Sequence, residues 1–327
     1  MAANVGAAPE RVERETGRRG LRRALGPVSD ARGLPKALLW VGIGIVLFFV
    51  ILAVFGDWIS PYAFDQYKSH GVEFPKLAHP SGKHWFGTNG IQTDVLARVI
   101  FGSRTALEVV LLALVFSLGV GVPLGLLSGW IGGPLDRALV LIMDALFAFP
   151  YLLLAIIISF LLADSPLGGG VVTAAVAVTA VYVPQYFRVV RGSVLSVREE
   201  SYVEAARTLG AKPMTIVTRY VFANVIQSVP VIATLNAADA ILTLAGLGFV
   251  GYGIEPSVAA EWGYDVQRAV SDIGAGIWWT AVFPGACIVL LVTGLTLVGE
   301  GLNDVLNPVL RRPAHAKIAM PEAGDAE

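Results

Sequence analysis

The chain has 327 residues, 55% of them hydrophobic and only 15% charged, with a formal net charge of −1 at pH 7. So apolar a composition excludes an ordinary soluble domain, and the lack of a basic excess argues against a nucleic-acid partner. The single cysteine, Cys287, sits in an apolar run, so an intramolecular disulfide is excluded and packing is its expected role.

Residues 1–36 carry eight Lys/Arg against four acidic residues and read as a cytosolic basic tail. Residues 37–56 are 20 uncharged positions, about the length that crosses a bilayer core. The long basic leader without a small-residue cleavage site predicts a retained first transmembrane helix rather than a signal peptide. Residues 57–104 are polar and turn-rich, with Pro61, Pro75, Pro80 and Gly82, and read as an external loop or cap. Residues 105–304 then form a five-helix core, with apolar stretches at 109–135, 145–163, 165–187, 220–254 (broken by Asp239) and 273–299. Short connections at Gly132-Gly133-Pro134 and residues 164–170 predict antiparallel neighbours. Residues 305–327 read as a second cytosolic tail.

Charge sets the orientation. Eighteen of the 24 Lys/Arg fall in the first tail, the turn at Arg137, the region 188–219 and the carboxyl end, leaving six on the other side. The positive excess marks the cytosolic face, so both termini are expected inside. The expected fold is therefore all-α and polytopic, with six transmembrane helices.

Between two apolar stretches lies a charged, helix-forming island at residues 201–224, within a loop of 196–224. Glu200, Glu204 and Arg207 share one helical face, and Tyr202, Ala205, Ala206 and Leu209 supply an apolar stripe on the other. Gly210 ends this helix, expected over 199–209, because glycine takes the left-handed conformation without a Cβ clash. Lys212-Pro213 opens the next helix, since proline suits a first helical position. Such a unit is too short to span a bilayer. It is either a docking element for a groove on a partner or a loop folded under the membrane.

Asp144 and Asp239 are carboxylates within or near apolar stretches. Asp144 lies close to a helix end and is expected to be wet. Asp239 lies deeper and is a candidate for lining a water-filled pathway. Gly246-Leu247-Gly248-Phe249-Val250-Gly251 fits the dinucleotide fingerprint, but no strand precedes it, and close helix packing is the better explanation. No GxxxxGK[ST] loop, HExxH or CxxC occurs, and the four histidines, His70, His79, His84 and His315, fall in loops or the tail. An energy source, if ATP, must reside on another polypeptide.

The run Glu204-Ala205-Ala206 with Gly210 resembles the EAA loop of the membrane subunits of binding-protein-dependent ABC importers. His84-Trp85-Phe86-Gly87-Thr88-Asn89 with Asp94-Val95-Leu96-Ala97-Arg98 resembles the dipeptide, oligopeptide and nickel branch of that family. Met143–Pro150 and the glycine run at 246–251, continued by Trp262-Gly263, resemble recurrent segments of the family at large. The carboxyl-terminal Gly299-Glu300-Gly301-Leu302-Asn303-Asp304, Leu306-Asn307-Pro308 and Leu310-Arg311 resemble the same branch. The resemblance covers about residues 84–312 and departs from the family at Gln92-Thr93, Ala223 and Leu244. It implies a type I importer permease whose coupling residues are Glu204, Ala205, Ala206, Arg207, Leu209 and Gly210. It also implies a second homologous permease, ATP-binding subunits that hold ATP and Mg, an external solute-binding protein and a place in the plasma (inner) membrane. This chain itself would hold no cofactor or metal and would not be an enzyme. An ion-gradient-driven transporter or channel using Asp239 is the alternative, and an intramembrane enzyme a third class.

Overall fold

The computed structural model describes residues 34–163, 165, 170–226 and 229–306. Residues 1–33 of the basic tail, most of the 164–170 connection, residues 227–228 and the terminal motif from Asn307 onward lie outside the described residues.

The chain runs α1 (Leu34–Ile59), a hairpin of β1 (Lys68–Ser69) and β2 (Val72–Glu73), α2 (Val95–Ile131), α3 (Gly133–Ala148) and α4 (Tyr151–Leu162). It continues through α5 (Val171–Val197), α6 (Ser201–Thr208), α7 (Pro213–Ile216), a π-helical turn (Val217–Val221) and α8 (Phe222–Val225). Then come α9 (Val229–Val250), α10 (Trp262–Gly274) and α11 (Trp279–Leu306). Five helices, α1, α2, α5, α9 and α11, are long and apolar enough to cross a membrane, and α3 with α4 makes a sixth crossing when the pair is taken as one.

That pair corrects the sequence expectation of one straight span over 145–163. The two helices meet at 98°. The cause is local: Pro150 has no amide to donate, and it holds Phe149 in extended backbone at φ −74°, ψ 139°. The other crossings also shift along the chain. Helix α2 starts at Val95 because Asp94 caps it, accepting from the Ala97 amide at 2.8 Å. Residues 95–104, expected in the outer loop, are therefore helix. Residues 220–225 belong to the loop after α6 and not to a span. The stretch 251–278, between α9 and α11, holds the amphipathic helix α10.

Small residues let the long helices approach closely, as bilayer packing requires. The most extensive contact is α2 on α5. A Cβ added at Gly121, Gly125 or Gly129 would lie 2.8 Å from Tyr186 Cβ, 2.9 Å from Val190 Cβ or 2.8 Å from Val194 Cβ. Helix α1 meets α11 the same way, with Gly42 against the Gly294 carbonyl and Gly301 against Leu39. The central core is built from α2, α4, α5 and α9 around Val109, Ala155, Val178, Ile241 and Leu247, all buried.

The 60–94 segment is an ordered cap. His84 Nδ1 lies 2.8 Å from Asp94 Oδ2, beneath the rings of Tyr62 and Phe74. The Trp279 indole donates to the Thr88 carbonyl at 3.2 Å, and Phe86 stacks on Phe283 at 3.9 Å. These contacts fasten the cap to the start of α11.

Candidate functional site

At the end of the bundle opposite the cap, α6 closes in a Schellman motif. The Gly210 amide donates to the Arg207 carbonyl at 2.9 Å and the Ala211 amide to the Ala206 carbonyl at 3.0 Å. Gly210 has φ +79°, which only glycine adopts readily. Pro213 opens α7 behind the Lys212 cap.

The faces of α6 differ from the sequence expectation. The inward residues are Val203 and Ala206, which enter a cluster with Val190, Val194, Ile216 and Val221. Of the apolar stripe expected from the sequence, Tyr202, Ala205, Ala206 and Leu209, only Ala206 is buried. Tyr202, Ala205 and Leu209, at i, i+3 and i+7, face outward beside Glu204, and Leu209 is 87% exposed. The helix is also shorter than 199–209, because Glu200 is extended at its N-cap. Arg207 does not point freely outward: its guanidinium lies 5.0 Å from the Trp130 ring of α2.

The ends of α2, α3 and α5 beneath this loop are clamped by charge. Arg191 grips Asp136 with two hydrogen bonds, Nε to Oδ1 at 2.6 Å and Nη2 to Oδ2 at 2.8 Å. Ser128 also bonds Asp136, and Arg198 donates to the Gly129 carbonyl at 3.1 Å. Asp144, expected to be wet, is exposed and pairs with Arg188 at 2.7 Å.

A second feature lies halfway along the bundle. The bend between α3 and α4 opens a groove of about 410 Å³ against α5 and α9. Phe147, Phe149, Tyr151, Tyr182, Gln185 and Asp239 line it. Asp239 is the middle of α9, and a lipid-facing carboxylate there would cost about 2.5–3.5 kcal/mol. The Tyr182 hydroxyl is 3.1 Å from Thr243 Oγ1, and Thr243 donates to the Asp239 carbonyl at 2.9 Å.

The glycine run at 246–251 has no ligand-cradling geometry. A Cβ at Gly246 would press on Leu152 at 3.1 Å, one at Gly248 would overlap the Glu261 carboxyl, and Gly251 ends α9 at φ +90°.

Sequence reasoning missed the charged cluster on the cap side. Arg98 Nε donates to Asp265 Oδ1 at 2.6 Å, with Arg98 2% exposed. Glu261 caps α10, accepting from the Gly263 and Tyr264 amides at 2.7 Å each. Burial pushes its carboxyl up to about 8 against those two donors. Next to this cluster a cleft of about 700 Å³ opens between the cap residues Asn89–Ile91 and α10. The signal for it was present: Arg98 and Trp262-Gly263 stood inside motifs already singled out, without a partner assigned to them.

Residues 121–312 match the family described as binding-protein-dependent transport system inner membrane component. Residues 36–75 match the N-terminal TM domain of oligopeptide transport permease C. The chain belongs to this permease family. It is 34% identical over 271 residues to the dipeptide transport system permease protein DppC of Alkalihalophilus pseudofirmus, covering 83% of this chain and 86% of the relative. It is 33% identical over 267 residues to the glutathione transport system permease protein GsiD of Pectobacterium atrosepticum, covering 81% and 85%. With GsiD of Escherichia coli O157:H7 the identity is 34% over 267 residues, covering 81% and 84%. The chain is thus a multi-pass inner-membrane permease subunit of an ABC importer.

Proposed function

We propose that this permease forms one wall of a pathway for peptides or related small solutes, completed by a second homologous permease. ATP-binding subunits, which hold ATP and Mg, dock on the outward face of α6 and drive the cycle. The observation that carries the coupling role is the pairing of an exposed apolar stripe, Tyr202, Ala205 and Leu209, with a buried anchor, Val203 and Ala206. A helix held rigidly from beneath and apolar outside suits a partner's groove, whereas a mere loop would turn Leu209 inward. The Lys/Arg asymmetry supports a cytosolic position for both termini and for α6. The cap and the cleft beside α10 then face outward, where a solute-binding protein delivers its load. The dipeptide and glutathione relatives support a peptide-like solute, and nickel is the competitor.

Purification of the tagged subunit from its own membrane, followed by reconstitution and uptake of dipeptide, glutathione and nickel, tests this reading. A co-purifying ATPase with a phosphate-loop motif and ATP-dependent dipeptide uptake, indifferent to a protonophore, is expected. Uptake driven by a proton gradient without ATP overturns it in favour of the ion-coupled transporter.

A further inference from the structure

We propose that Asp239, with the aromatic side chains around it, selects in the pathway for solutes carrying a free primary ammonium group. The inference rests on the permease reading above and adds the chemistry of the solute. Asp239 is the eleventh of the 22 residues of α9 (Val229–Val250), so its carboxylate sits at the depth where lipid solvates charge least. It faces the groove made by the bend at Pro150 rather than the packed core. Among the described residues no hydrogen bond or ion pair reaches this carboxylate. Of the donors that line the groove, the Tyr182 hydroxyl meets Thr243, and neither the Gln185 amide nor the Tyr151 hydroxyl bonds the carboxylate.

A midspan carboxylate without an internal partner needs water or a passing cation. The lining decides which cation. Phe149 and Tyr151 line the groove and are exposed over half their surface or more, and aromatic faces attract ammonium groups, whereas Phe147 already carries the Arg188 guanidinium at 3.9 Å. A single carboxylate with aromatic faces satisfies an ammonium. It does not satisfy a divalent metal, which needs several oxygen or nitrogen ligands, and the lining holds no histidine or second carboxylate. The groove therefore favours the amino end of a peptide-like solute over a bare metal ion.

The test uses the whole complex in opened membranes, with Cys287→Ser and Gln185→Cys in this subunit. Gln185 lines the same groove, so its thiol reports the local field while Asp239 stays in place. Trimethylammonioethyl and sulfonatoethyl methanethiosulfonates are the probes, with rates normalised to their reaction with a free thiol. The cationic reagent is expected to react at least about ten-fold faster, and Asp239→Asn to bring the ratio near unity. Uptake of Ala-Ala should fall about ten-fold in Asp239→Asn and recover in Asp239→Glu, as on-rates focused by one charge do. Equal reagent rates, no reaction with either reagent, or no recovery in Asp239→Glu would each overturn the proposal. So would loss of the partner permease on purification of Asp239→Asn, which would assign the carboxylate to the subunit interface. If the wild-type complex takes up nothing with ATP, the importer reading fails on its own, and the reagent ratio still decides the charge of the groove.

Discussion

Arg98 and Asp265, 167 positions apart in the chain, meet through an Nε–Oδ1 hydrogen bond of 2.6 Å with both side chains nearly out of solvent. Arg98 also donates to the Phe64 carbonyl at 3.4 Å, so one guanidinium ties α2, the cap and α10 together. A buried pair broken on one side leaves an uncompensated charge. Asp265→Asn should therefore destabilise the protein by about 3–5 kcal/mol, and Arg98→Leu with Asp265→Leu should recover most of that loss. Thermal unfolding in detergent checks both. A double variant no better than the single one would show that the pair's charge is itself required.

Glu261 gives a pH dependence with a fixed sign. Its carboxyl is raised by burial from the ordinary 4.5 to about 8 in the folded chain. Below pH 4.5 both folded and unfolded forms are protonated and nothing is lost. Between 4.5 and 8 the folded form keeps a proton that the unfolded chain releases, so stability should fall as pH rises through that window. Glu261→Gln should flatten the slope while losing part of the α10 cap, about 1 kcal/mol. Unfolding midpoints from pH 5 to 8 measure it; a wild-type midpoint that climbs with pH contradicts the assignment.

Gly210→Val isolates the loop from the membrane. Nothing lies within 4 Å of the Cβ that valine would add, so the substitution acts through φ +79° and not through a clash. The strain is about 1–2 kcal/mol, more for a β-branched residue. Membrane abundance and pairing with the second permease should be normal, while transport falls and ATPase subunits bind weakly. Transport at the wild-type rate would remove the coupling role from α6.

Orientation is measured with the same cysteine-free background, Cys287→Ser. Thr208→Cys, on exposed α6, should react with an impermeant maleimide only after the membrane is opened. Ser271→Cys, exposed on α10, should react in intact cells. Asp265 is unsuited to this purpose, being largely shielded by its pairing with Arg98. The reverse pattern would move α6 to the outer face.

What the sequence disclosed follows from which interactions are local. The glycine stop at Gly210, the proline start at Pro213 and the apolar lengths of the long helices are set within a turn or two, and they were legible. The break at Phe149-Pro150 was also written locally, yet the unbroken apolar composition of 145–163 masked it. Which residues of α6 turn inward was not legible, for a different reason. Val203 and Tyr202 are both apolar, and only the cluster beneath, from Val190 to Val221, decides which one turns inward. The Arg98–Asp265 and Trp262–Val99 contacts join distant segments, and no spacing rule reaches across 160 residues. Gly102 carried a local trace of this contact: its missing side chain makes room for the Trp262 indole, which a Cβ there would overlap.

The glycine ladder on α2 has a mechanical consequence. From Tyr186 to Val194 helix α5 is seated on Gly121, Gly125 and Gly129, and that length behaves as a stiff lever of about 12 Å. One end touches the cluster that seats Val203. The other stops at Pro184, where the missing amide leaves the Ala180 carbonyl unbonded within the helix and bending is easiest. Pro184 stands between Tyr182 and Gln185, two of the groove's lining residues. Under the coupling and pathway roles proposed above, a push on α6 would turn α5 at Pro184, beside the groove the solute would pass.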